Sequence, residues 1–254
     1  MSRSLPIAAT AIGGLTLVCI AVAGDRPVDR APTSDQAMSE LRDGNRRYVA
    51  GRARHPHADP ARRRETFIRG QHPMAIVVAC ADSRVPVEII FDVGVGDMFV
   101  IRVAGNVCAT DETGSIEYAI EHLGTPLIVV LGHRDCGAVT AVVKGVRELG
   151  SVPALVSHIQ PAVDHVRRTQ PTLSGDELIA AAVRQNVWHS IEDLFEHSDA
   201  ARARAADGRL RVVGAIYDIH SGMIDWLGEH PRQSELIRPA RTGVSTRPAS
   251  TLPH

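Results

Sequence analysis

Residues 127–137 read LIVVLGHRDCG. Five apolar residues, mostly Val, Ile and Leu, run without a polar break and end at a glycine, a histidine and, three positions on, a cysteine. A short continuous run of this kind suits a strand buried on both faces, as in a parallel sheet covered by helices. A second run, MAIVVAC at 74–80, ends in the same way on Cys80. In open parallel sheets ligands gather at the carboxyl ends of the strands. Cys80 and His133 would therefore meet at one rim, with Cys136 close behind.

Two cysteines and a histidine leave one position of a tetrahedral zinc vacant, which is the arrangement of a catalytic rather than a structural site. The chemistry expected is hydration or hydrolysis by a zinc-bound water. Cys136-Gly137 opens a helical segment, where backbone N–H groups favour a thiolate. Gly137 has no side chain, so a ligand can come close to its backbone. Asp82 lies two residues beyond Cys80, and Arg84 two beyond that. In extended chain these positions share a face, so Arg84 is expected to hold the Asp82 carboxylate ionised beside the metal.

Working outward, further apolar runs at 98–103 and 210–216 and helical patterns at 34–50, 61–70, 113–123, 137–149, 152–168 and 175–197 complete a strand–helix alternation. The fold class expected is α/β, a mainly parallel sheet covered by helices, with an N-terminal helical arm capped by Ser34. YDIHSGMIDWL (217–227) reads as a hairpin turning at Ser221-Gly222. The domain spans 34–230, after a polar linker at 24–33, and a Pro- and Ser-containing tail at 238–254 is expected to be disordered. His55 and His57 fall in a polar loop and read as solvated, as do Arg62, Arg63 and Arg64.

The chain has 254 residues and a formal net charge of −1, which argues against nucleic acid as a partner. Arg3, an apolar stretch from Leu5 to Ala23 and the small-x-small Ala21-Val22-Ala23 read as a secretory signal cleaved after Ala23. Export, to a periplasm in a bacterium, follows, with no stable membrane span after cleavage. An uncleaved anchor is the rival reading, although Gly13, Gly14 and several alanines make a poor span. Cys19 leaves with the signal, and Cys108 reads as a small buried hydrophobe.

The stretches CADSRVPVEIIFDVGVGDMFVIRVAGN, GSIEYAIEHLG and LIVVLGHRDCGAV resemble the β-class carbonic anhydrases, and the likeness extends from about Ser34 to Leu227. Its motifs, C-x-D-x-R and H-x-x-C, are highly specific. The resemblance implies a zinc enzyme interconverting carbon dioxide and bicarbonate through attack by zinc-bound hydroxide. It makes Cys80, His133 and Cys136 the ligands of one zinc per subunit, and Asp82 and Arg84 the catalytic dyad, with Asp82 a conditional fourth ligand. Gln71, Phe99, Ala104, Tyr118 and Gly137 match substrate-pocket positions. Several of these reach the pocket across a subunit interface in the family, so a homodimer or a dimer of dimers is implied.

One departure bears on subtype. Members regulated by bicarbonate carry a tryptophan three residues before the first zinc cysteine, where this chain has Val77, and Ala79 replaces a glycine. Arg102 does match a basic residue of that regulatory site. The permanently accessible type is expected, with Asp82 on Arg84. Hydrolysis of another small heterocumulene such as carbon disulfide on the same fold is the alternative, and a non-catalytic zinc or thiol sensor would leave Asp82 and Arg84 idle. The HRD at 133–135 lacks the other parts of a kinase, and Gly94-x-Gly96 lacks the third glycine of a dinucleotide fingerprint.

Overall fold

The computed structural model describes residues 32–147 and 149–238. The expected signal, its cleavage point and nearly all of the linker and tail lie outside the described residues. Five strands, β1 (Ala75–Ala79), β2 (Met98–Arg102), β3 (Leu127–His133), β4 (Arg211–Tyr217) and β5 (Ile224–Gly228), form one sheet in the order β2-β1-β3-β4-β5. The first four are parallel, and β5 returns antiparallel to β4 as the hairpin predicted, with Gly222 at positive φ in its turn. The sequence periodicity translates directly: every residue of β1 and β3 is buried, and each fully buried Val, Ile or Leu contributes about 1.5–3 kcal/mol of transfer free energy.

Helices cover both faces. Against one face, with Ile76, Val78, Ile128 and Val130, pack α4 (Thr110–His122), α5 (Gly137–Lys144), α7 (Gln160–Thr169) and α8 (Gly175–His197). Against the other, with Val77, Val129 and Val213, lie α1 (Ser34–Val49) and the single turn α3 (Val87–Ile90). The glycine of LIVVLGH sets how close α8 comes, because a Cβ on Gly132 would sit 2.7 Å from Val187. Among the described residues no helix is long and apolar enough to cross a membrane.

Several boundaries differ from the sequence expectation, each for a local reason. Thr33 rather than Ser34 caps α1, in a reciprocal box with Gln36. The helix expected over 137–149 stops at Lys144, where Gly145 turns left-handed at φ 61°. That expected over 152–168 is split into α6 (Val152–Ser157) and α7, and Pro161, which has no N–H to continue a helix, sits in the first turn of the second piece. A helix α9 (Asp199–Ala206) follows α8 at once, because Ser198 ends one and caps the other. The ordered domain runs past 230 through a short α10 (Gln233–Leu236).

Candidate metal centre

Cys80 follows the last residue of β1, His133 is the last of β3, and Cys136 caps α5. Since β1 and β3 are neighbours, two candidate ligands 53 positions apart in sequence become adjacent at the carboxyl rim. One donor atom from each of the three side chains lies within 4.8 Å of the other two, and all three residues are buried. The sulfurs are 3.9 Å apart, too far for a disulfide. Two thiolates at about 2.3 Å from a tetrahedral zinc would stand about 3.8 Å apart. His133 Nδ1 lies 2.9 Å from the Arg134 carbonyl, so it carries the proton and Nε2 is left as a lone pair. That Nε2 is buried with no hydrogen-bond partner among the described residues. A buried orphan nitrogen beside two sulfurs fits a soft cation such as Zn2+.

The thiols interact strongly. The Cys136 thiol, opposed by burial and assisted by His133 and the Gly105 amide, pushes Cys80 down to about 4. Cys136 is in turn pushed up by the Cys80 sulfur and by burial, with the Ala138 and Val139 amides of α5 acting against this. A dication held between them would remove the conflict and let both ionise.

Asp82 and Arg84 pair as expected, by a different route. Residues 82–85 make a turn closed by the Val85 amide on the Asp82 carbonyl (3.0 Å), so the two side chains are not on one face of extended chain. Within the turn Arg84 donates Nε to Oδ1 (3.0 Å), NH2 to Oδ2 (2.8 Å) and its backbone N–H to Oδ1 (2.9 Å). The Arg84 side chain, then the backbone bond, hold the Asp82 carboxyl well below the usual carboxylate range against some desolvation. Oδ2 also lies 3.9 Å from His133 Nε2, next to the metal position.

Arg102 has a use that its resemblance to a regulatory residue did not suggest. Its Nε donates to the Cys80 carbonyl (3.1 Å) and its NH2 to the Asp82 carbonyl (2.5 Å), tying down the loop that carries both residues. The Gly105 amide, 3.3 Å from Cys80 Sγ, was not anticipated either. The only hint in the sequence was a glycine just past a strand end. Ala104 lies beside it in the 3-10 turn after β2, and Gly137 is exposed, with open space where a Cβ would be.

The remaining pocket residues are elsewhere in the protomer. Gln71 precedes β1, whereas Cys80 follows it, and Phe99 pairs with Ile76 near the strand's start. At about 3.3 Å per residue that start lies roughly 13 Å from Cys80. Tyr118 is half exposed on α4, with its ring 6.2 Å from that of Phe99. One protomer does not bring Gln71, Phe99 and Tyr118 to its own metal position. His57 is held by Asp97 (2.7 Å), and Cys108 is buried, its thiol pushed up by desolvation.

The fold and the donors therefore define a catalytic-type zinc centre at the rim of a parallel sheet. The carbonic anhydrase family profile matches residues 75–224. Carbonic anhydrase 2 of Mycobacterium tuberculosis is 40% identical over 191 residues, covering 73% of this chain and 89% of the relative. The crystal structure of the β-carbonic anhydrase CafA of Aspergillus fumigatus superposes with a TM-score of 0.63 at 27% identity, covering 79% of this chain and 94% of that one. One of two tetrameric β-carbonic anhydrases from Sordaria macrospora gives 0.61 at 25% identity, covering 73% and 94%. The chain belongs to the β-class carbonic anhydrases. It is a zinc enzyme of reversible carbon dioxide hydration, and its relatives give no support to the carbon disulfide alternative.

Proposed function

We propose that this carbonic anhydrase works with a permanently open metal site, in which Asp82 stays on Arg84 and never caps the zinc. The bidentate Asp82–Arg84 pair is the observation that carries this reading. Cys80, His133 and Cys136 would hold the ion. When bound, Zn2+ supplies a Lewis acid that lowers the pKa of water and provides a nucleophile near neutral pH. Asp82, kept ionised by Arg84, can only accept, so any O–H group beside the metal position must donate to it and turn a lone pair outward. Arg84 thus acts through Asp82, and Arg102 keeps the loop in register by holding the carbonyls of residues 80 and 82. The exposed Gly137 backbone leaves room for carbon dioxide to approach. Crystal structures of the zinc-loaded protein on both sides of neutral pH should show Asp82 on Arg84 in each; Asp82 bound to zinc in either would overturn the open-site reading.

The placement of Gln71, Phe99 and Tyr118 supports a second proposal, that each pocket is completed by a partner subunit. β2 is an edge strand with Phe99 and Ile101 only half buried, and α2 (Pro60–Arg69) buries none of its residues and exposes Phe67 and Ile68. An open edge and exposed apolar groups each call for a cover, and the tetrameric state named for the Sordaria macrospora enzymes supports a dimer or a dimer of dimers. Sedimentation of Phe67→Asp protein should show dissociation with loss of activity; an active monomer would end this reading. Export rests on the N-terminal residues alone, and the mass of protein recovered from the native host, lacking 23 residues, is its test.

A further inference from the structure

Asn186 is a polar residue in an apolar place. It lies within α8, 1% exposed, beside the Val183 and Val187 that pack on the sheet. Its Oδ1 is buried without a partner among the described residues, and burying an amide oxygen in that way is costly. Its Nδ2, however, donates to the Gly105 carbonyl at 2.7 Å. Gly105 is left-handed, at φ 78°, where a side chain is strained, and a Cβ there would sit 2.5 Å from the tip of Ile159. Its N–H is the group that donates to Cys80 Sγ. The chain of contact therefore runs from α8, through Gly105, to a metal-binding sulfur.

We propose that Asn186 is a positioning residue of the zinc centre: by holding the Gly105 carbonyl it keeps the Gly105 N–H on the Cys80 sulfur and so fixes that ligand's orientation and electron donation. A donor at a thiolate draws electron density away from the metal bond and restricts the sulfur's rotation, and outer partners of this kind tune bound metals. The inference rests on Cys80 being a zinc ligand. Ser190 supplies a comparison, since its Oγ donates to the Asn186 carbonyl at 2.9 Å one turn along the same helix without touching Gly105.

The test uses Co2+-substituted full-length protein, whose thiolate-to-cobalt absorption reports the sulfur directly, together with zinc affinity by chelator competition. In Asn186→Leu, similar in size but without a donor, the band should move to lower energy and zinc should bind about tenfold more weakly. Ser190→Ala should leave both unchanged even where it lowers thermal stability. If Asn186→Leu does not fold, Asn186→Ala, which adds no volume, carries the same comparison. An unmoved band and affinity in the Asn186 variant would overturn the proposal, and so would an equal shift in Ser190→Ala. Cys80→Ser separates the premise: if it retains the wild-type band, the ligand assignment fails, not merely the role of Asn186.

Discussion

Two aspartate–arginine pairs in this molecule look alike on paper and are built for different ends. Asp82 meets Arg84 at the sheet rim, with side chains 17% and 53% exposed; Asp92 meets Arg47 at 2.5 Å inside, at 0% and 17%. The Oδ1 of Asp92 accepts the backbone N–H groups of Arg54 and His55, and its Oδ2 accepts Arg47, so one carboxylate joins α1, the loop after it and the end of α3. Asp82 is held by a single neighbour in its own turn, and one edge of the carboxylate still faces the metal position. A carboxylate sealed inside by partners distant in sequence is a structural joint, whereas one bound only within its own turn at an open rim can also act on a ligand.

The largest effect that would test this contrast is on turnover. Asp82→Asn keeps the shape but cannot be relied on to accept from the same donor. Carbon dioxide hydration by stopped flow should fall about 10²- to 10⁴-fold, the usual range for a positioned acid–base group, with little change in melting temperature. Turnover within a few-fold of wild type would place Asp82 with the structural aspartates.

Asp92→Asn should do the reverse. Asn is chosen because residue 92 sits at φ 47°, where Asn is tolerated and Ala is strained. Losing the charged partner of a largely buried arginine should cost about 1.5–3 kcal/mol in urea unfolding, while activity per folded molecule stays the same. An active-site defect without a stability loss would remove the distinction between the pairs.

The two pairs also differ in how far the sequence showed them. Asp82 was legible because it stands two residues from a metal-type cysteine and two from Arg84, even though the joining backbone is a turn. The candidate ligands were legible because each closes or follows a long apolar run. Asp92–Arg47 spans 45 positions and Asn186–Gly105 spans 81, and neither has a local pattern. Such pairs become visible only once the sheet has brought α1 and α8 over it. The same holds for the break between α6 and α7, where tertiary packing and one proline overrule an unbroken helical periodicity.

A smaller effect appears with pH. Burial pushes the Asp92 carboxyl up, but Arg47 and the two backbone donors outweigh it and leave the native pKa below the ordinary 3.8. A depressed carboxyl pKa contributes stability that is complete above the unfolded value and is lost as pH falls through the native one. The stability gap between wild type and Asp92→Asn should therefore be constant near neutrality and close only below about pH 4. A gap that persists in more acidic urea titrations would mean that shape, not charge, is what Asp92 contributes.

The smallest effect concerns a third carboxylate, Asp97, which lies between the two extremes. His57 Nδ1 approaches both of its oxygens, at 2.7 and 2.8 Å, but the imidazole is half exposed and Arg62 and the Gly94 amide also hold Asp97. An exposed pair with substitutes at hand is worth about 1 kcal/mol or less. His57 is also left-handed, at φ 54°, so the variants divide the two contributions: His57→Ala loses the pair and keeps the strain, while His57→Gly loses the pair and relieves it. Urea midpoints should rank wild type and His57→Gly close together, with His57→Ala slightly below, and hydration activity should be equal in all three. A loss in His57→Gly as large as that in Asp92→Asn would show that the partners around Asp97 do not substitute for one another, and that this surface loop is as rigid a joint as the buried one.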